Sequence, residues 1–328
     1  LDPEKYELYE DIGYAFYGKN DYNNAIQYYE KYSKIFVDDS DILSNISSAY
    51  KKLGQLDKSI SILEDAILLS NEELYLKSTL LFYKFNEKNI SSMDVLQSLD
   101  NMLAKADSFD DSTRIYGSFI SFYFSLGNVK NSTEYIKLLL NMIQPRYGKF
   151  QTVNWGLSEN FLKIYIHSDF MDTVGSHLEY FAENAVTPYD NIVPYRRCLY
   201  YLYTGNYNML EATIDAAEDG YDDYWVSCYK YEIGYLRGKI LEHEGELEDA
   251  LDMYTESLAY RPTHSNLRKA IGQTQRLLGN HRKSIKMFTD LQKGSPRSGE
   301  LNLELAKSYY ASGNKNKALE HLETALDV

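Results

Sequence analysis

The stretch LRGKILEHEGELEDALDMYTESLAYRP, Leu236–Pro262, decides the fold. Its apolar residues fall at helical spacing on both sides of Gly245. Proline then closes it. The same order returns twice. Gly245, Gly279 and Gly313 stand thirty-four residues apart, as do Ala250, Ser284 and Ala318, and Pro262 and Pro296 keep the interval. Small residues at Gly238, Gly272 and Ala306 precede each glycine by seven positions and let two helices approach closely. The glycine ends the first helix at a positive φ. Asn280 and Asn314 follow as turn residues, and a bulky residue (Tyr254, Phe288, Leu322) falls four after the small one of the second helix. Helix, tight turn and helix at a fixed period are the mark of a stacked helical repeat.

Working outward, Ile12, Gly13, Phe16, Asn20-Asp21-Tyr22, Ala25 and Tyr29 fit one unit, and Ile46, Ser47, Tyr50, Gly54, Ser59, Leu63 and Ala66 fit the next. Residues 113–146 fit through Phe119, Tyr123, Gly127-Asn128, Ser132 and Ile136, with Pro145 closing the unit. Residues 74–112 keep helical apolar spacing but lack the glycine. Residues 147–190 read as a Trp155–Ile166 helix, a Ser168-Asp169 turn and a second helix around Val174–Ala185. Residues 191–230 keep Gly205-Asn206-Tyr207 but insert an acidic turn, Glu218 to Asp223.

The spacing, with LELAKSYYASGNKNKALEHLETALD at 303–327, resembles the tetratricopeptide repeat, with its small, aromatic, Gly-Asn, Ala and Pro positions. The resemblance implies an all-α, right-handed superhelical solenoid of about nine stacked antiparallel helix pairs over 1–328. The units run 6–39, 40–73, 74–112, 113–146, 147–190, 191–230, 231–264, 265–298 and 299–328, with 74–112 and 147–230 degenerate. In such an array each pair buries its apolar stripe only against the next. The family places the first helices on a concave groove.

Composition suits a helical protein and gives no expectation of nucleic-acid binding. Net charge is -14, which disfavours polyanionic partners, and six prolines suit long helix interiors. Tyrosine is abundant at 32 residues, and adjacent rings such as Tyr28-Tyr29 and Tyr309-Tyr310 point apart on a helix, so some must leave the core. No apolar run is long enough to span a bilayer. The chain starts without Met and stops inside a repeat, as an excised segment would. Cys198 and Cys228 suggest buried small residues and no disulfide framework. Sequons at Asn45, Asn89 and Asn131 fix no compartment.

No catalytic, metal or cofactor constellation emerges. The histidines lack metal-ligand spacing, and Glu242-His243-Glu244 lacks the second histidine of a zinc helix. The expectation is therefore a non-enzymatic, cofactor-free scaffold that takes a peptide or helix of another protein. A regulatory or targeting module of a larger enzyme or signalling protein is the alternative. By frame the groove carries Tyr14, Tyr17, Arg114, Phe124, Tyr235, Lys239, Lys269, Gln273, Arg276, Lys307 and Tyr310, with Glu7 and Glu10 at its acidic N-terminal end. Some tetratricopeptide proteins grip a chaperone's C-terminal carboxylate with a Lys, Asn, Asn, Lys, Arg set. Here only Asn45 and Lys269 match it, which excludes that mode. Nine cations and one acid, Asp290, lie between Arg261 and Arg297. They suggest an acidic partner, either another protein or the N-terminal half of a second copy.

Overall fold

The computed structural model describes residues 4–37, 39–70, 73–168, 170–186, 192–220 and 223–326. Eighteen α-helices run through these residues and no strand occurs among them, so the all-α expectation holds. Two compact units form. One joins the chain up to Ser118 with the chain from Arg261 onward, and the other is Phe119–Tyr260.

The device that builds the helix pairs is one hydrogen-bonded turn, used eight times among the described residues. A left-handed residue ends the first helix: Asn20, Gly54, Lys88, Gly127, Gly205, Gly245, Gly279 or Gly313, with φ from 62° to 90°. Its N–H donates three residues back, as in Gly279 N to Arg276 O at 3.1 Å. The next N–H donates five residues back: Asp21 to Phe16, Gln55 to Tyr50, Asn89 to Lys84, Asn128 to Tyr123, Asn206 to Tyr201, Glu246 to Leu241, Asn280 to Gln275 and Asn314 to Tyr309, all at 2.8–3.0 Å. This is the Schellman closure, which satisfies the last carbonyls of one helix while reversing the chain. Except at Asn89, where Ser91 caps α6, the second of these residues also starts the next helix. The side chains of Asp21, Asn128, Asn206 and Asn314 accept the N–H three residues on at 3.1–3.2 Å. At Gly127-Asn128, Gly205-Asn206 and Gly313-Asn314 the pair is thus a reversal and a cap in one, whereas Asn280 starts α16 without a side-chain cap bond.

Lys88 is the position that sequence reading passed over. It stands thirty-four residues after Gly54 and makes the same turn without a glycine. The rhythm therefore runs unbroken through Asn20, Gly54 and Lys88.

Between the two helices of a pair, a small residue faces a ring. A Cβ on Gly13 would lie 2.4 Å from Tyr29, one on Gly238 2.3 Å from Tyr254, and one on Gly272 2.8 Å from Phe288. Tyr29, Tyr254 and Phe288 are fully buried, as are Ala25, Ser59, Ser132, Ala250 and Ser284 at the small position of the second helix. Ser47 and Ser59 exchange hydroxyl-to-carbonyl bonds of 2.7 and 2.8 Å across their pair, which satisfies both groups in a dry contact.

In the first unit, α1 (Glu4–Gly18) pairs with α2 (Tyr22–Ser33) and α3 (Ser40–Lys52) with α4 (Leu56–Leu69), followed by α5 (Glu73–Asn86) and α6 (Ser92–Lys105). α7 (Phe109–Ser125) crosses the boundary between units. The chain's far end supplies two more pairs, α15 (Ser265–Leu277) with α16 (His281–Gln292) and α17 (Gly299–Ala311) with α18 (Lys315–Leu326). The two ends of the chain meet. Asn20 Nδ2 donates to Pro262 O at 2.8 Å, and Arg297 lies 3.8 Å over the Phe85 ring while donating to Phe85 O at 3.2 Å.

The second unit is built from α8 (Val129–Gly156), α9 (Glu159–Tyr165), α10 (Met171–Asn184), α11 (Val193–Thr204), α12 (Tyr207–Gly220), α13 (Asp223–Glu244) and α14 (Leu247–Tyr260). Two expectations are corrected here. α8 continues through Pro145 and bends at Gly148, whose φ of 77° and ψ of 171° are non-helical. Trp155–Ile166 is not one helix: Ser158 is extended, with ψ 147°, and separates α8 from α9. The acidic insert is mostly helix, since α12 runs to Gly220, and 221–222 lie outside the described residues. Cys198 is buried and free, with burial pushing its thiol up to about 12. The side chains of Cys228 and Glu7 lie outside the described ones.

Candidate protein-interaction face

The best-defined candidate surface lies where α15 and α17 run side by side. On α15, Lys269, Gln273 and Arg276 follow at spacings of four and three and share one face. On α17, Leu303, Lys307 and Tyr310 do the same. Two carboxylates join the rows. Glu300 accepts from Lys269 at 2.5 Å. Glu304, only 6% exposed, sits between Arg276 at 3.4 Å and Lys307 at 2.8 Å. A buried carboxylate between two cations is strongly held, because removing either partner leaves a charge with less compensation in a low-dielectric site. The long cationic side chains are thereby fixed in place before any partner arrives. Beside them Tyr310 is 68% exposed and Leu303 41% exposed.

Tyr14 and Tyr17 lie on α1. Tyr14 is exposed, sits edge-on to Tyr29 at 5.6 Å, and accepts from Asn45 Nδ2 on α3 at 2.8 Å. Glu10 joins this group by a hydrogen bond to Tyr14, and its carboxyl is raised, first by burial and then, against that bond, by Asp39 and Asp41. Tyr17 is half-buried against Tyr22 at 5.2 Å, and burial pushes its phenol up to about 12. It contributes more to the core than to a binding face. Arg114 is exposed on α7.

In the second unit Phe124 is 37% exposed. Lys239 and Tyr254 meet around Glu242, which accepts from Lys239 Nζ at 3.0 Å and from Tyr254 OH at 2.9 Å. Lys239 Nζ also stands 6.0 Å over the Tyr235 ring. Burial, then the Glu242 charge, drives the Tyr254 phenol far above its usual value. It therefore remains a donor at any ordinary pH.

Sequence reasoning placed Glu242 on this face and Glu300 beside the basic segment but not the ion pairs that Glu300 and Glu304 make, and a signal for such contacts exists. Tyr14 and Asn45 are thirty-one residues apart, and so are Lys269 and Glu300; Arg276 and Glu304 are twenty-eight apart. Neighbours on successive first helices differ by one repeat less about one or two helical turns. Two of the histidines are occupied structurally. His321 stacks on Tyr309 at 5.4 Å and meets Asn302 Oδ1 at 2.9 Å, while His243 stacks on Tyr207 at 3.9 Å. No group of three or more His, Cys, Asp or Glu residues among the described ones could hold a metal ion. No helix among them is long and apolar enough to cross a membrane.

The model of the tetratricopeptide repeat matches residues 6–35 and 40–73, the two N-terminal pairs closed at Asn20 and Gly54. These two segments carry tetratricopeptide repeats. A tetratricopeptide fold supports, in general, a protein-interaction scaffold, and such scaffolds are typically non-catalytic. Among curated proteins, the human protein O-mannosyl-transferase TMTC1 is 28% identical over 112 residues, 34% of this chain and 13% of that protein. The chain thus matches about an eighth of that relative's length. Among solved structures, the human IFIT1 dimer with m7Gppp-AAAA is 16% identical at a TM-score of 0.43, over 98% of this chain and 71% of that one. YrrB, a tetratricopeptide protein with an unusual peptide-binding site, is 15% identical at a TM-score of 0.34, over 57% of this chain and 90% of that one.

Proposed function

We propose that this tetratricopeptide chain is a scaffold that receives a peptide or helix of a partner protein on the first-helix face of α15 and α17. The observation that carries this reading is the pairing of exposed anchors with fixed charges. Leu303 and Tyr310 are exposed on the same face as Lys307, and the neighbouring cations are already held by Glu300 and Glu304. Exposed aromatic and aliphatic side chains in a rim of ordered charge are the usual composition of an interaction centre. Because each cation is shared with a carboxylate, the face presents mixed charge. It suits a partner segment with one or two apolar residues flanked by both signs of charge.

The test is recovery of partners from the protein's own cells with wild type and a Leu303→Asp/Tyr310→Ala variant. The reading predicts that the variant loses at least one reproducible partner while retaining wild-type helical content. Equal recovery by both proteins at low and moderate salt contradicts it.

A further inference from the structure

Where the chain's two ends meet, the first unit encloses a cavity of about 340 Å³ lined by α2, α3, α15 and α16. Its charge is opposite to that of the chain. Lys51, Lys52, Arg268 and Lys293 line it with a single acid, Asp290, which pairs with Lys293 at 2.7 Å. The other cations have no carboxylate partner among the described residues. The Lys51 ammonium lies 4.5 Å over the Tyr83 ring. Burial and then the Lys52 charge hold it down to about 8. Lys52 is lowered too, first by the surrounding protein and then by Arg268.

Helix polarity explains part of this cluster and leaves the rest unexplained. Lys51 and Lys52 end α3, and Lys293 follows the last residue of α16, so their charges complement helix C-termini. Arg268 does not fit that account. It stands in the first turn of α15, the end where a cation is disfavoured and an anion favoured. The start of α2 at Tyr22 faces the same cavity. The segments that carry these cations pack closely: a Cβ on Gly294 would lie 2.9 Å from Lys51 O, and one on Gly54 3.2 Å from Lys293. The backbone positions of Lys51 and Lys293, from opposite ends of the chain, are therefore fixed beside each other.

We propose that this cavity binds a small, multiply charged oxyanion of the phosphate class, and that its occupancy clamps the two ends of the chain together. Arg268 and Lys52 supply charge-assisted hydrogen bonds from opposite walls, one from each end of the chain. The cavity lies at the small end of the range for ligand pockets, so it takes a diphosphate or a small phosphorylated molecule rather than a polymer. The site is separate from the α15–α17 face and does not depend on it.

The test titrates inorganic pyrophosphate into the full chain by calorimetry, at ionic strength held constant with chloride. Wild type is expected to bind one pyrophosphate per chain saturably. Lys52→Gln and Arg268→Ala are each expected to weaken binding by about tenfold or more. Lys286→Ala, an exposed cation of α16 outside the cavity, is expected to bind as wild type does. Hydrogen exchange at the Gly54 and Ser295 amides should slow with pyrophosphate, because both lie in the turns that meet at the cavity. Lys52→Gln keeps the control informative if Arg268→Ala misfolds, since Lys52 is solvent-accessible. Absence of saturable binding overturns the proposal, as does an equal loss in Lys286→Ala or wild-type affinity in Lys52→Gln. Binding without slowed exchange at both turns overturns the clamp.

Discussion

Replacing Gly279 with Ala and Lys88 with Gly should change stability in opposite directions, because both residues hold the same turn. Gly279 has φ 79° and Lys88 φ 63°. A side chain in left-handed backbone costs about 1–2 kcal/mol. Substituting Gly by Ala also makes the unfolded chain less flexible, which recovers about 0.4–1 kcal/mol. A Cβ on Gly279 would meet nothing within 4 Å, so no steric cost is added. The net destabilisation for Gly279→Ala is about 1 kcal/mol. Lys88 is exposed, so Lys88→Gly reverses the same balance and stabilises by about 0.5–1 kcal/mol. A repeat array does not unfold in two states, so the effect is read locally. Hydrogen exchange of Asn89, whose N–H donates to Lys84 O at 2.9 Å, should slow by about two- to fivefold in Lys88→Gly. Exchange of Asn280, bonded to Gln275 O at 2.8 Å, should speed up by about fivefold in Gly279→Ala. A slower Asn280, or a faster Asn89, would refute the claim that Lys88 continues the glycine rhythm.

Other outcomes follow from the same contacts. Asn314→Ala removes the cap on Lys317 N and should destabilise α18 by about 1 kcal/mol, read as faster exchange in its first turn. Glu304→Gln leaves Arg276 and Lys307 without their shared carboxylate and should destabilise by about 2 kcal/mol, with a double-mutant cycle against Lys307→Met showing coupling. His177 and His321 are both lowered, chiefly by burial, so the folded state favours their neutral forms. The unfolded chain takes up protons first, and stability should fall as pH drops below about 6.5. His321→Gln should flatten that fall in a denaturant series across pH 5 to 7.5. Retention of the full wild-type slope would count against it.

The fold was legible where a turn needed glycine and hidden where another residue took its place. Gly245, Gly279 and Gly313 mark the period openly, and Lys88 hides one beat because a left-handed lysine looks like any surface residue. The interruption near Pro145 was misplaced for a related reason. Helix α8 accepts the proline, and the break occurs at Gly148, where φ is positive. Among site residues, the exposure of Tyr14 and Tyr310 follows from helical spacing, and the burial of Tyr17 against Tyr22 does not. The carboxylate partners were legible in principle through the thirty-one-residue offset. The cationic cavity was not, since Lys51 and Arg268 come from opposite ends of the chain and meet only after the ends close.

The central claim is that partners bind on the first-helix face. A photoreactive benzophenone residue placed at position 310 on α17, and in a separate protein at position 68 on α4, tests it most directly. Leu68 is 84% exposed on a second helix, so accessibility alone favours the control. The account predicts covalent adducts with a partner protein from position 310 and none from position 68. Adducts from position 68 with none from position 310 would contradict it.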